Sequence, residues 1–531
     1  MTGATTAVVI GGGIAGLATA ALLGREGYQV TLLEAQSEVG GRAGSWEHAG
    51  FRFDTGPSWY LMPEVFDHFF KLLGTSAAEQ LELRRLDPGY RVFFETHDDS
   101  LDIHADRERT LAAFELIEPG SRAAIGRYLA SAKDTYRMAT RRFLYGTFAS
   151  YRPMLTRDVL RRSGRLARLL LQPLDRFIGR YVSDHRIRQV LGYPAVFLGS
   201  SPYATPSMYH LMSHLDFEDG VYYPLGGFTE VIASIARLAE GEGVEIVTDA
   251  RVTAITVKNT VEGDRASGAR YVDAAGLEQH LAADIVVSAA DLHHTETQLL
   301  QTEHQSYPES WWNTRVAGPG AVLVMLGVRG RIPELAHHSL FFTDDWRDNF
   351  GRIFSDTPSI PTPASIYVCR PGATDDSVAP DGDENLFVLV PLPADPSIGG
   401  GGMAGTGDDA VERVADDAIR QISEWAGVPD LADRIVVRKT VGPADFAVTL
   451  NSWKGSALGP AHVLKQSAFL RGKNVSSKVQ GLLYAGSSTV PGIGLPMCLI
   501  SAELVVKRLR GDVSTTPLPE PLREPVSEPL R

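Results

Sequence analysis

Residues 11–16, Gly-Gly-Gly-Ile-Ala-Gly, follow a short apolar run, Ala7-Val-Val-Ile10, and lead into a helix-like run from Leu17 to Glu26. This is G-x-G-x-x-G set between a strand and a helix, the context in which that spacing points to a dinucleotide pyrophosphate. Gly11 permits the tight turn, Gly13 lets the backbone approach the phosphates, and Gly16 lets the helix pack closely on the strand. The helix N-terminus contributes free N–H groups and the positive end of its dipole. A second apolar strand, Tyr28 to Leu33, ends at Glu34, a carboxylate placed to bind a ribose hydroxyl.

Two further glycine patterns follow, Glu38-Val-Gly-Gly-Arg-Ala-Gly44 and Gly50-Phe-Arg-Phe-Asp-Thr-Gly-Pro57. E-x-G-G-R-A followed by G-F-x-F-D-x-G-P resembles the signature of the flavin amine oxidase and phytoene desaturase superfamily, in which both segments line FAD rather than NAD. The resemblance implies that Gly40, Gly41 and Arg42 lie along the diphosphate and ribityl chain, with Gly56 and Pro57 also against the cofactor. Paired glycines allow close backbone approach, and a guanidinium can pair bidentately with phosphate.

Near the other end, a last short strand, Leu482 to Ala485, opens into Gly486-Ser-Ser-Thr-Val-Pro-Gly-Ile-Gly-Leu-Pro496 and a helix through Leu499 to Leu509. This resembles the C-terminal motif of bacterial phytoene desaturases, V-G-A-G-T-H-P-G-A-G-I-P-G. Gly486, Thr489, Pro491, Gly492, Gly494 and Pro496 match; serines follow the first glycine, Val490 replaces the histidine and Met497 the last glycine. Such a loop entering a helix suits the electron-rich side of a reduced flavin. Tyr223-Pro-Leu-Gly-Gly-Phe-Thr-Glu230 resembles the family's P-x-G-G segment, and Gly243 to Val252 reads as a strand that sets Val252 beside the adenine. With Asp284 to Asp291 and Asn451 to Ser456, the resemblance spans residues 6–510.

The expected fold class is α/β: a Rossmann-like FAD-binding domain with an inserted mixed-sheet substrate domain and a helical, membrane-facing lobe. The FAD-binding parts are expected at 1–105, 221–300 and 451–511, the helical lobe at 106–220, the mixed sheet at 301–450 and a flexible tail at 512–531. A chain of 531 residues is long enough for such lobes, and 44% hydrophobic with 22% charged residues is an ordinary globular balance.

Only Cys369 and Cys498 occur, outside any C-x-x-C spacing, so no disulfide framework or zinc site is expected, and the compartment reads as reducing. The histidine pairs 293–294 and 337–338 lack a carboxylate at ligand spacing, so no metal is expected there. The N-terminus has no basic signal region, and no window reaches the roughly 18 apolar residues of a spanning helix. The expected location is cytoplasmic, peripherally associated with the inner face of the cell membrane.

Net charge is −13, yet residues 137–188 hold thirteen arginines against three acids. Apolar positions between Leu155 and Tyr181 approximate a helical stripe opposite those arginines, with Pro173 as a kink. Two readings stand: a basic amphipathic helix on an anionic bilayer, or a core-packed helix with a solvated arginine face. No nucleic-acid partner follows from one basic stripe on an acidic protein.

The family implies an apolar isoprenoid substrate held by burial alone and dehydrogenated stepwise, phytoene toward neurosporene and lycopene. The electron acceptor is expected to be a quinone or oxygen, and a homo-oligomer is allowed. Arg157-Asp-Val-Leu-Arg161 resembles a desaturase segment proposed to carry acid/base residues, which makes Asp158 and Arg161 the catalytic candidates; an ordinary i,i+3 salt bridge is the competing reading. The loop Ser397 to Gly407 and the tail after Gly511 read as flexible. Alternatives for the activity are another carotenoid desaturase, a ketolase or isomerase, an amine or porphyrinogen oxidase, or a non-catalytic prenyl-binding chaperone that has lost its flavin.

Overall fold

Five short parallel strands form one sheet in the spatial order Leu482–Tyr484, Ile285–Ser288, Thr6–Ile10, Gln29–Leu33, Glu245–Val247. The computed structural model describes residues 4–150 and 161–522. Val8 sits opposite Val286 on one side and Thr31 on the other. Parallel strands are covered on both faces, which is why Ile285–Ser288 and Leu482–Tyr484 are buried at every position. The helix Ile14–Arg25 is buried continuously from Ile14 to Leu23. An all-round apolar helix must be enclosed, and Leu495–Leu509 and Phe228–Gly241 pack against it. The strands Arg251–Thr260, Gly263–Val272 and Glu278–Ala282 make a separate antiparallel sheet that shares a core with the parallel one.

The second half is a seven-stranded mixed sheet, ordered Ile435–Val441, Gly320–Val328, Glu384–Leu392, Ile366–Cys369, His338–Phe342, Tyr90–Phe94, His97–Ile103. Gly320–Val328 is buried at all nine positions. Its side chains alternate between two cores, as strand geometry requires: Val322, Val324, Leu326 and Val328 meet the helix Asp409–Ala426, while Ala321, Leu323 and Met325 meet Phe51 and Phe53. Helices within 107–144 and 163–219 form a lobe that packs with both sheets.

Four expectations require correction. The FAD-binding part expected over 1–105 ends sooner, because Tyr90–Phe94 pairs in parallel with His338–Phe342, Val92 opposite Leu340. That pairing joins residues far apart in sequence, so local pattern carries no sign of it. The strand expected over 243–252 is two strands broken at Asp249, which has φ of 51°, and at Ala250, whose N–H donates to the Glu34 carbonyl at 2.7 Å. The helical stripe is not one kinked helix, since Ser163–Leu171 ends before Pro173 and Leu174–Ile178 begins after it; Leu155 and Val159 lie outside the described residues.

The fourth correction concerns the supposedly loose segments. Consecutive N–H groups of Gly400, Gly401 and Gly402 donate to Asp408 Oδ2 (2.8 Å), Asp445 Oδ2 (2.7 Å) and Thr440 Oγ1 (2.8 Å). From Gly511 to Leu522 the chain packs back: Leu518 and Leu522 are buried, the Leu518 N–H donates to Glu503 Oε1 at 2.6 Å, and Lys507 Nζ donates to the Ser514 and Thr516 carbonyls at 2.9 and 2.8 Å; residues 523–531 of the expected tail lie outside the described residues. Glu503 and Lys507 are both buried in the last helix, and buried charges need partners that composition does not reveal.

A chain ending at Gly511 therefore leaves Glu503 and Lys507 short of partners, at about 1–3 kcal/mol for each unsatisfied group. The expected outcome in thermal denaturation is a midpoint lower by at least about 3 °C; an unchanged midpoint contradicts this role for the segment.

Candidate functional site

The first glycine turn leaves its helix open at the N-terminus. Gly11 has φ of 97°, a conformation that glycine supplies without strain, and its N–H donates to the Leu33 carbonyl at 2.8 Å. Gly13 is the N-cap of Ile14–Arg25 and provides no side-chain cap, so the first N–H groups of a twelve-residue helix face outward unpaired. A Cβ on Gly13 would meet nothing closer than the Gly40 carbonyl at 3.9 Å, whereas one on Gly16 would lie 1.8 Å from the Gly11 carbonyl. Gly13 thus borders open space and Gly16 serves close packing behind it.

The neighbouring segments close around that turn. Glu34 accepts from the N–H of Gly12 at 2.5 Å and of Gln36 at 2.8 Å, so the carboxylate shapes the loop as well as lining the cavity. Gly40 bridges to Gly13, its N–H donating to the Gly12 carbonyl at 2.9 Å. Arg42 Nε donates to the Ala457 carbonyl at 3.0 Å and Nη2 to Ser452 Oγ at 2.8 Å. These bonds pin the guanidinium on the cavity wall, where Gly56 and Pro57 join it.

The C-terminal motif arrives at the same place. Gly494 is the N-cap of Leu495–Leu509, again without a side-chain cap. Gly486, Gly494 and Pro496 line the cavity, as do Gly11, Gly13, Glu34, Gly40, Gly41 and Val252. Three of the expected residues face elsewhere. Gly16 packs as described; Thr489 Oγ1 donates to the Gly486 carbonyl at 3.0 Å and braces the loop from behind; Gly492 abuts His462, whose Nε2 would lie 2.3 Å from an added Cβ.

Sequence reading missed the residues that hold this loop from beneath. Asn474 is buried and its Nδ2 reaches the Val490 carbonyl and Ser501 Oγ, both at 3.1 Å, while Ser501 Oγ accepts from the Gly486 N–H at 3.0 Å. Arg471 is buried too and donates to backbone carbonyls, Ser487 at 3.1 Å through Nε and Pro460 at 3.2 Å through Nη2. Burial without a carboxylate partner lowers the Arg471 pKa to about 10. Neither residue belongs to a motif, and only their burial distinguishes them.

The cavity that these loops border has a volume of about 1310 Å³. Away from the glycine loops its walls are mostly apolar, with Leu166 and Leu170 from Ser163–Leu171, Phe143, Met212, Phe342 and Leu389, and with Asn349, Ser365 and Lys439 as polar members. The mixed sheet and the helical lobe therefore contribute to one space with the nucleotide half. Gly401 and Gly402 also line it, so the glycine loop expected to be flexible is part of the wall.

The catalytic candidates expected from the sequence are Asp158 and Arg161. Asp158 lies outside the described residues, and Arg161 is solvent-exposed and absent from the cavity lining. Among the described residues His337, His338 and Cys369 bring potential metal-ligand atoms within 4.8 Å of one another, all buried. Spacing hid the group because Cys369 sits opposite His338 across a strand pair. Burial lowers the His337 pKa to about 3 and raises that of the Cys369 thiol to about 12.

Two open helix N-termini, glycine backbones and an arginine on one wall fit a dinucleotide cofactor, whose diphosphate Gly13 and Arg42 would hold. The comparisons agree. Residues 14–510 match the model of the flavin containing amine oxidoreductase family. The chain is 40% identical to a carotenoid 3,4-desaturase of Haloarcula japonica, over 95% of this chain and 98% of the relative. It is 34% identical to a zeta-carotene-forming phytoene desaturase of Myxococcus xanthus, over 94% and 93%. The crystal structure of an oxidoreductase from Methanosarcina mazei shares the fold, with a TM-score of 0.61 at 16% identity over 94% of this chain and 100% of that one.

Gly13→Val projects a side chain into open cavity and not into protein. The expected outcome is unchanged far-ultraviolet circular dichroism with flavin affinity reduced by more than about tenfold, read from visible flavin absorbance after gel filtration. A full flavin complement in that variant contradicts the placement.

Proposed function

Since the chain belongs to the flavin-containing amine oxidoreductases, among their carotenoid desaturases, and is an FAD-dependent oxidoreductase acting on CH–CH groups, we propose that it introduces conjugated double bonds into phytoene, stepwise toward neurosporene and lycopene. The observation that carries this reading is the continuity of the glycine-lined cofactor cradle with apolar walls in a single cavity. A hydrocarbon offers no polar handle, so it is held by burial, at about 0.8 kcal/mol for each methylene removed from water. FAD, when bound, would supply the two-electron oxidant for hydride removal. The protein's part is to position one bond and to accept the remaining proton.

A second reading is 3,4-desaturation of an acyclic carotenoid that is already conjugated, favoured by the 40% identity to the Haloarcula relative against 34% for the Myxococcus one. Flavin-loaded protein offered phytoene or lycopene in liposomes, followed by chromatography of the pigments, separates the two. Consumption of phytoene with stepwise lengthening of the chromophore supports the first, and consumption of lycopene alone the second. Conversion of neither overturns both.

The substrate's medium is a bilayer, and the reading includes peripheral contact of residues 137–188 with the inner face of the cell membrane in a cytoplasmic protein. No helix of the described residues is long and apolar enough to cross a membrane. Arg162 and Arg165 pair with Asp134, Arg186 with Asp184 and Arg188 with Asp175, so the charge of four arginines is partly answered within the protein. Arg168, Arg176 and Arg180 are exposed, and Leu171 is 73% exposed. Leu166 and Leu170 of that same helix line the cavity, so the basic lobe and the apolar wall share one element. Reduced flavin would pass its electrons to a quinone or to oxygen.

Replacing Arg168, Arg176 and Arg180 with glutamate is expected to weaken co-flotation with anionic vesicles by more than about tenfold, at about 1 kcal/mol for each basic residue. Equal flotation of variant and wild type removes the basic lobe from membrane contact.

A further inference from the structure

The proposed reaction releases a proton as well as a hydride, and one phenol of the cavity lining is hydrogen-bonded to a buried carboxyl that is not itself part of the lining. Tyr193 stands between the helices His185–Gly192 and Pro194–Phe197, and its ring lines the cavity. Its hydroxyl donates to Asp216 Oδ2 at 2.9 Å. Asp216 lies in a π-helical turn, Leu215–Asp219, in which Leu215 faces the cavity. Irregular turns of this kind recur at functional positions. Both residues are almost wholly enclosed, Tyr193 at 2% exposure and Asp216 at 5%.

A purely structural account of this pair is costly. Enclosing a carboxyl without a cation disfavours its ionised form strongly, and among the described residues no arginine, lysine or histidine lies within ion-pair reach of Asp216. Those contacts are made instead by its neighbour Glu218, with Arg107, Lys133 and His214. The titratable groups facing Asp216 are tyrosines: Tyr193, Tyr90 from the strand Tyr90–Phe94 and Tyr128 from the helix Ser121–Ala139. Burial, partly offset by the tyrosine hydroxyls, raises the Asp216 pKa to about 7. Strained electrostatics of this sort collect where proton transfer is done.

Tyr193 is also joined by packing to segments expected to hold the cofactor. Tyr193 contacts Trp59, with ring centroids 6.1 Å apart, and Trp59 follows the Gly56-Pro57 segment closely. Val196 and Phe197 continue the wall to Gly199, where an added Cβ would lie 3.2 Å from Ile493 of the C-terminal glycine loop.

We propose that Tyr193 and Asp216 are the proton-accepting pair of the dehydrogenation, with Tyr193 as the catalytic residue at the cavity surface and Asp216 as the positioning residue that takes up the proton behind it. This rests on the desaturase reading above. One substrate carbon loses a hydride, with FAD as oxidant. The adjacent carbon–hydrogen bond breaks and its electron pair forms the new carbon–carbon double bond. Its proton passes to Tyr193 Oη as the phenol's own proton moves along the hydrogen bond to Asp216, whose carboxylate becomes a carboxylic acid. Charge and atoms balance, and the phenol is regenerated within the step.

The test uses flavin-loaded full-length protein and the carotenoid that the wild type converts, with turnover followed from about pH 5 to pH 9. Wild-type turnover is expected to rise through a single limb near pH 7, since the carboxylate is the accepting form. Tyr193→Phe keeps the ring and its packing and is expected to lower kcat by about 100-fold or more, with flavin content and KM unchanged. Asp216→Asn is expected to lose a similar factor together with the pH limb, and Asp216→Glu to retain a displaced limb. Tyr193→Phe turning over within about twofold of wild type, or a limb that persists unaltered in Asp216→Asn, overturns the assignment. If Asp216→Asn does not fold, Tyr193→Phe decides alone. An active wild type with an equally active Tyr193→Phe removes this pair only, whereas a wild type that desaturates no carotenoid removes the reading beneath it as well.

Discussion

Unpaired backbone N–H groups at the start of two long helices have to be answered by something, and in this protein neither helix carries a side chain to answer them. Ile14–Arg25 begins at Gly13 and Leu495–Leu509 at Gly494, and both ends open on one cavity. Glycine at these positions leaves the backbone bare, and the aligned peptide dipoles favour an electron-rich ligand. The remainder of the nucleotide half secures that arrangement. The two helices pack against each other, Asn474 and Arg471 fix the 486–490 loop from beneath, and Glu34 ties Gly12 to the second strand.

The other half supplies what a flavin alone lacks, a dry place for a reactant. Alternation along Gly320–Val328 gives each face of the mixed sheet its own core, and residues of its interior strands such as Leu323, Tyr367 and Leu389, with the helical lobe, close the cavity. An apolar wall next to a polar cradle suits a reaction in which orientation and exclusion of water matter more than polar contacts to the substrate. Behind that wall the Tyr193–Asp216 hydrogen bond joins a cavity-lining phenol to a buried carboxyl that has no cation beside it.

Local pattern carried much of this. The G-x-G-x-x-G turn, the segment at Gly40 to Arg42 and the loop from Gly486 to Pro496 are legible because glycine spacing reports directly on backbone shape, and all three meet at the cavity. Contacts that depend on distant partners were not legible. Nothing in Tyr90–Phe94 announces that it pairs with His338–Phe342, and a proline-rich tail gives no hint that Leu518 must satisfy Glu503. Four glycines in a row suggest looseness until Asp408, Asp445 and Thr440 are seen holding their N–H groups. Asp216 sits in no motif, and its interest comes from burial without a cation. For Thr489 and Gly492 the family pattern identified positions that matter, though for bracing the loop and not for facing the cavity.

The central claim is that one cavity brings a flavin and an apolar isoprenoid together for hydrogen removal. Anaerobic mixing of the flavin-loaded protein with a stoichiometric amount of acyclic carotenoid, observed by stopped-flow spectroscopy, addresses it in one turnover. The account predicts bleaching of the oxidised flavin at the same rate as the appearance of a longer polyene chromophore, one new double bond for each flavin reduced. Appearance of product while the flavin remains oxidised, or no reaction of the bound flavin with any such substrate, would contradict it.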